Sequence, residues 1–110
     1  NMNDEITMSY GVMGGQYQPI GQSHLLQNIF EFGMSMQAGL DLPRAFTLNG
    51  KLKIEKTFSE SAIKELTKIG HDIEISESTI GGGQGIMIDR KEGILIGGSD
   101  PRKDGLAIGY

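Results

Sequence analysis

The sequence predicts an α+β domain. Segments with an apolar residue at every second position and segments with the three- and four-residue spacing of a helix follow one another, without the regular βαβ rhythm of a doubly wound sheet. Many of the 17 glycines lie where one such segment gives way to the next, places where a positive φ or a close backbone approach is useful. No internal repeat is visible and no linker divides the chain, so 110 residues at 37% hydrophobic content read as one modest domain.

Ile6, Met8 and Tyr10 alternate with Thr7 and Ser9, a half-buried strand that runs on through Gly11, Val12 and Met13 and stops at Gly14-Gly15. Leu25, Leu26, Ile29, Phe30 and Met34 recur at helical steps and predict an amphipathic helix over about 22–33, interrupted at Gly33. Met36 and Ala38-Gly39-Leu40 form a second short helical stretch. Asp41-Leu42-Pro43-Arg44 follows, where Pro43 disfavours helix at Leu42 and turns the chain extended there. Asn49-Gly50, between Phe46 and Leu48 on one side and Leu52 and Ile54 on the other, is a strong hairpin signal.

Ser59 is placed to cap a helix from Glu60 to about Ile69, with Phe58 and Ile63 as a hydrophobic staple and Gly70 at the C′ position. Ile63, Leu66 and Ile69 form its buried stripe. Ile73 and Ile75 mark a further strand. Gly81-Gly82-Gly83 leading into Gly85 reads as a flexible loop or bulge. Ile86 to Ile88 and Ile94 to Ile96 read as a hairpin around Asp89-Arg90-Lys91-Glu92-Gly93, with Gly93 left-handed. A polar turn from Gly97 and the segment Leu106-Ala107-Ile108-Gly109-Tyr110 follow.

Ten Lys+Arg against fourteen Asp+Glu give a net charge of −4, a field that does not favour nucleic acid or an anionic membrane surface. Without cysteine there is no disulfide framework, thiolate metal cluster or cysteine nucleophile. No apolar run approaches the roughly 18 residues of a membrane span. Asn1 to Glu5 show no basic segment followed by an apolar stretch, so no secretory signal is read there.

A strand that runs into Gly14-Gly15 and then a helix can present bare backbone N–H groups to an anion or a developing oxyanion, because no Cβ blocks the approach. The plainer reading of the same pattern is a tight turn. Neither a dinucleotide fingerprint nor a P-loop is present, and Gly81 to Gly85 is not a phosphate motif. His24 and His71 each stand alone, so no metal or cofactor is implied, and His71 after a helix end suits the helix dipole. Asp100-Pro101-Arg102 and Asp41-Leu42-Pro43-Arg44 each set an acid and an arginine around a proline, a stiff arrangement for ion pairing in the fold or in a site. No G-x-S-x-G nucleophile elbow occurs.

Taken in order, Gly11-Val12-Met13-Gly14-Gly15, Gln18-Pro19, Gly21, Leu25-Leu26-Gln27-Asn28-Ile29, Phe32-Gly33-Met34, Gln37-Ala38 and Asp41-Leu42-Pro43-Arg44 resemble the C-terminal half of the γ-glutamyltransferase small subunit. Phe58-Ser59, Ile63, Leu66 and Gly70-His71 resemble the family's capped helix, and Gln84-Gly85-Ile86 its following strand. Gly98-Ser99-Asp100-Pro101-Arg102-Lys103-Asp104-Gly105 with Gly109-Tyr110 resembles its chain terminus. The match covers nearly the whole chain. Gly11 to Gly15 with Gln18-Pro19 departs from the Ser-Pro-Gly-Gly form of the best-known transpeptidases and is more like the γ-glutamyltransferase-like, cephalosporin-acylase-like branch.

The resemblance implies part of a four-layer αββα N-terminal-nucleophile hydrolase, made by autoproteolysis of a precursor into a large and a small subunit. It implies that a threonine freed at the small subunit's N-terminus attacks a γ-glutamyl amide, with its own α-amine as base, and that the acyl group passes to water, an amino acid or a peptide. Gly14 and Gly15 would supply the oxyanion-hole N–H groups. The family's threonine lies well upstream of the pair, in a segment this sequence does not contain, and Thr7 is too close to replace it. Residues 1–110 are thus expected to be an incomplete C-terminal portion of the small-subunit domain, inert alone, partnered by the large subunit and the rest of the small subunit, and exposing apolar sheet edges or faces. Arg44 and Arg102 match family arginines and are expected in structural or maturation roles. Localisation is not legible, since any signal would lie upstream. A related acylase acting on another acyl amide and a non-catalytic, anion-binding or structural homologue remain as alternatives.

Overall fold

A computed structural model describes residues 5–109. Asn1 to Asp4 and Tyr110 lie outside the described residues, and with them most of the segment read for a signal and the last residue of the terminal Gly109-Tyr110 pair. The elements in order are β1 (Met8–Met13), a 3-10 turn (Gly15–Tyr17), α1 (Gln18–Phe30), α2 (Met36–Asp41), β2 (Ala45–Leu48), β3 (Lys51–Ile54), α3 (Glu60–Ile69), β4 (Ile73–Ile75), β5 (Gly82–Asp89) and β6 (Ile94–Ser99). They form two compact units, one from the chain up to Asp41 together with the chain from Gly81 on, the other Leu42–Ile80.

In the first unit β5 is the central strand of an antiparallel sheet ordered β1-β5-β6. Its register pairs Met8 with Met87, Tyr10 with Gly85 and Val12 with Gly83, and across the other edge Gly85 with Gly98. Side chains alternate along a strand, so these residues share one face, and on that face α1 and α2 pack. Leu25, Ile29, Met36 and Leu40 are the buried cluster, with Met8, Tyr10 and Met87 against it. Burial of each such aliphatic side chain contributes roughly 1.5–3 kcal/mol.

From Gly82 on the glycine run is strand, contrary to the loop or bulge expected from sequence, with only Gly81 outside it at φ 67°, and β6 likewise continues through Gly97 and Gly98, where a turn was expected. The reason is the close approach of α2. A Cβ on Gly83 would lie 2.6 Å from Leu40 Cδ2, one on Gly85 2.6 Å from Met36 Sδ, and one on Gly98 2.6 Å from Met36 Cγ. Gln37 docks the helix on the edge strand: its side-chain amide donates to Ser99 O (2.8 Å) and accepts from Ser99 N–H (3.0 Å). Helix α1 starts at Gln18, four residues before the expected start, because Pro19 occupies its first turn, where a missing N–H costs nothing. Phe30, expected on the buried face, is 61% exposed.

The opposite face of this sheet carries the segment after β6. Lys103 lies over Gly82, Gly105 over Ser99 and Gln84, and Ala107 over Gly97. Met13, Ile86 and Leu95 on that face, and Leu106 and Ile108 in the segment, are all at least half exposed, which agrees with the expected apolar exposure. At the far end, Arg90 Nε pairs with Glu5 at 3.1 Å and Arg90 also donates to Ile6 O at 2.7 Å.

In the second unit β2 and β3 form the expected hairpin, with Asn49 and Gly50 both at positive φ (52° and 76°), the geometry of a type I′ turn. Helix α3 then crosses over so that β4 pairs parallel to β3. Its ends are as expected: Ser59 Oγ accepts from Ala62 N–H at 3.2 Å and Gly70 is left-handed at φ 115°. Its stripe is not buried. Ile63 and Leu66 are only half-buried and Ile69 is 73% exposed. Among the described residues no helix is long and apolar enough to cross a membrane.

Candidate functional site

Strand β1 delivers the chain to Gly14 at φ 138° and ψ 21°, followed by Gly15 at φ 57°. An L side chain rarely adopts either conformation. The pair reverses the chain into the 3-10 turn and α1, and Tyr17 N–H donates to Gly14 O at 3.1 Å to close it. Among the described residues no hydrogen bond uses the N–H of Gly14 or Gly15, and both residues are exposed. A Cβ on Gly15 would meet nothing within 4 Å, whereas one on Gly14 would lie 3.1 Å from Gly81 Cα. Two bare, adjacent donors thus stand at the start of a helical segment, with open space over the second. This arrangement suits an anion or an oxygen that becomes one.

The structure brings Gly81 to this turn from the other end of the unit, and sets Tyr17 beneath it, 2% exposed. Sequence reading missed both. Gly81 had a signal only as the first of three glycines, and Tyr17 had none, since an aromatic residue after a turn is not distinctive.

Of the other candidates, His24 and Arg102 belong to the first unit and His71 and Arg44 to the second. His24 and His71 are both exposed, and the described residues contain no cluster of three or more potential metal ligands. Arg102 is held within the first unit: its Nη1 donates to Leu40 O at 2.8 Å and pairs with Asp100 at 3.0 Å. Arg44 is held within the second, where Nη1 donates to Ile80 O at 2.9 Å. Glu55, which sequence reading did not single out, is 4% exposed and accepts from Arg44 N–H through one oxygen and from Ile80 N–H through the other, each at 2.8 Å. It ties the two ends of that unit together.

The sequence model of the gamma-glutamyltranspeptidase family matches residues 1–110. The chain belongs to the γ-glutamyltranspeptidase family. It is 33% identical over 117 residues to the oxamate amidohydrolase proenzyme of Klebsiella pneumoniae, a match covering 99% of this chain and 22% of that protein. It is 37% identical to the cephalosporin acylase of Bacillus halodurans, with a TM-score of 0.86 over 98% of this chain and 21% of that one. The γ-glutamyltranspeptidase of Pseudomonas nitroreducens, 18% identical, superposes with a TM-score of 0.87 over 98% of this chain and 57% of that chain, which shows the shared fold. The chain therefore spans about a fifth of the length of the curated relatives it matches. As a γ-glutamyltranspeptidase-family chain it has the α+β N-terminal-nucleophile hydrolase fold, and it resembles the acylase-like branch as well as the transpeptidases.

Proposed function

We propose that this chain is the oxyanion-binding portion of an enzyme that cleaves γ-glutamyl amides by acyl transfer. The observation that carries the reading is the pair of exposed, uncommitted N–H groups at Gly14 and Gly15, held at the junction of β1 and α1. A threonine freed at the small subunit's N-terminus, with its α-amine as base, adds its Oγ to the amide carbon. Negative charge gathers on the carbonyl oxygen, and the two N–H groups, already held in place by the turn, donate to it. The C–N bond then breaks, the amine leaves with the proton, and the γ-glutamyl ester passes to water or to the amine of an amino acid or peptide. The partners in this reading are the large subunit and the remainder of the small subunit, which complete the site and cover exposed apolar residues of the sheet face bearing Met13, Ile86 and Leu95. Alone, residues 1–110 are inert.

A second reading, hydrolysis of a different acyl amide, is favoured by the 33% identity to a protein named for oxamate and the 37% identity to one named for cephalosporin. The test is to offer the full-length, processed protein a γ-glutamyl anilide and oxamate in parallel, and to weigh the small subunit by mass spectrometry during turnover. Aniline release with a γ-glutamyl adduct on the N-terminal threonine supports the first reading. Turnover of oxamate alone supports the second. If no acyl amide is turned over, both fall.

A further inference from the structure

We propose that Tyr17 is a positioning residue for the Gly15 N–H, an inference that rests on the oxyanion reading of the turn. In a trans peptide the C=O and N–H of one unit point in opposite directions. The Gly14 carbonyl and the Gly15 N–H belong to the same unit, so whatever aims the carbonyl aims the donor. That carbonyl is aimed by Tyr17, whose N–H donates to it at 3.1 Å.

Tyr17 is in turn held by its ring. The side chain is buried in a slot walled by glycine backbone from three places: the turn itself at Gly14, the first turns of α1 at Gly21, and the approach to β5 at Gly81. A Cβ on Gly21 would lie 2.5 Å from the ring Cε2, and one on Gly81 2.8 Å from Cδ2, while one on Gly14 would touch the ring at 3.4 Å. The ring thus registers the turn against α1 and the approach to β5, and the main-chain hydrogen bond passes that register to the Gly14–Gly15 peptide. Oxyanion donors are effective only when held in place before the charge develops. Tyr17 acts on the reaction through Gly15 and not by touching substrate.

The experiment uses the full-length, processed protein labelled with ¹⁵N-glycine and two variants. Tyr17→Leu empties the slot, and Gly21→Ala leaves Tyr17 in place while crowding its ring. For the acyl amide that is turned over, both are expected to lower kcat about 100-fold with KM changed less than about threefold. The Gly15 amide order parameter, read without substrate, is expected near the rigid value of about 0.85 in the parent and below about 0.6 in the two variants. An unchanged order parameter in Gly21→Ala, or a loss confined to KM, overturns the proposal. If Tyr17→Leu does not fold, Gly21→Ala decides it. If the parent turns over no acyl amide, the oxyanion reading fails by that fact, and the order parameters alone still accept or reject the positioning role.

Discussion

The Asp100 carboxylate accepts a hydrogen bond from the Gly83 N–H at 2.8 Å, and the Gly83 carbonyl accepts one from the Asp100 N–H at 3.0 Å. This reciprocal pair locks the residue after β6 to the start of β5. The other carboxylate oxygen takes the Arg102 N–H and Nη1, each at 3.0 Å, and Arg102 reaches on to Leu40 O at the end of α2. One acid thereby joins two strands and a helix of the first unit.

Asp100 is 1% exposed and the Arg102 side chain 7%. Asp100→Ala is expected to destabilise the protein by about 3–5 kcal/mol, because it leaves a buried guanidinium without its counter-charge. Denaturant unfolding of the full-length protein measures this, and a loss under about 1 kcal/mol would show that the pair contributes no more than a surface ion pair.

Gly98→Ala is expected to cost about 1–3 kcal/mol by overpacking, since its Cβ would meet Met36 Cγ, Leu40 Cδ1 and the Gln37 main-chain nitrogen within 2.6–3.3 Å. Gly11→Ala, in β1 of the same sheet, meets nothing within 4 Å and should be within about 0.5 kcal/mol of the parent. Unfolding midpoints of the two variants compared side by side check the contrast; equal losses would contradict it.

Glu55→Gln retains the shape but replaces one acceptor by a donor. With Arg44 N–H and Ile80 N–H each needing an oxygen, one buried N–H is left facing an NH₂ group, at a cost of about 1–3 kcal/mol. Hydrogen exchange at the Arg44 and Ile80 amides should accelerate while that of the β5 amides is unchanged. Uniform acceleration in both units would be the contrary result.

Ser59→Ala removes the Ala62 cap of α3 and Gly70→Ala forces a Cβ into the left-handed region, each costing about 1 kcal/mol. Exchange of the α3 amides should rise several-fold in either variant. No change in Ser59→Ala would mean that Ser61 or water replaces the cap.

The legibility of this molecule divides by range along the chain. The Asn49-Gly50 hairpin, the Ser59 and Gly70 ends of α3, and the strand running into Gly14-Gly15 were all readable, because each depends on backbone preferences of residues next to one another. The family was readable too, from the order and spacing of many short matches. The strand glycines were not. Glycine signals a turn when only neighbours are considered, and nothing adjacent to Gly83, Gly85 or Gly98 announces a helix lying on that face. The buried stripe of α3 failed for a related reason: the period of Ile63, Leu66 and Ile69 states which residues share a face, not how much is packed on it.

By itself the sequence determined the α+β class, the family and the position of the Gly14-Gly15 pair, all set by local preference and by linear pattern. The tertiary structure alone decided that Tyr17 and Gly81 surround that pair, that Asp100 closes β5 onto β6, and that Glu55 joins Arg44 to Ile80. Those relations require strand register and side-chain packing between residues far apart in the chain, and a close approach leaves as its only mark in sequence the small residue that permits it.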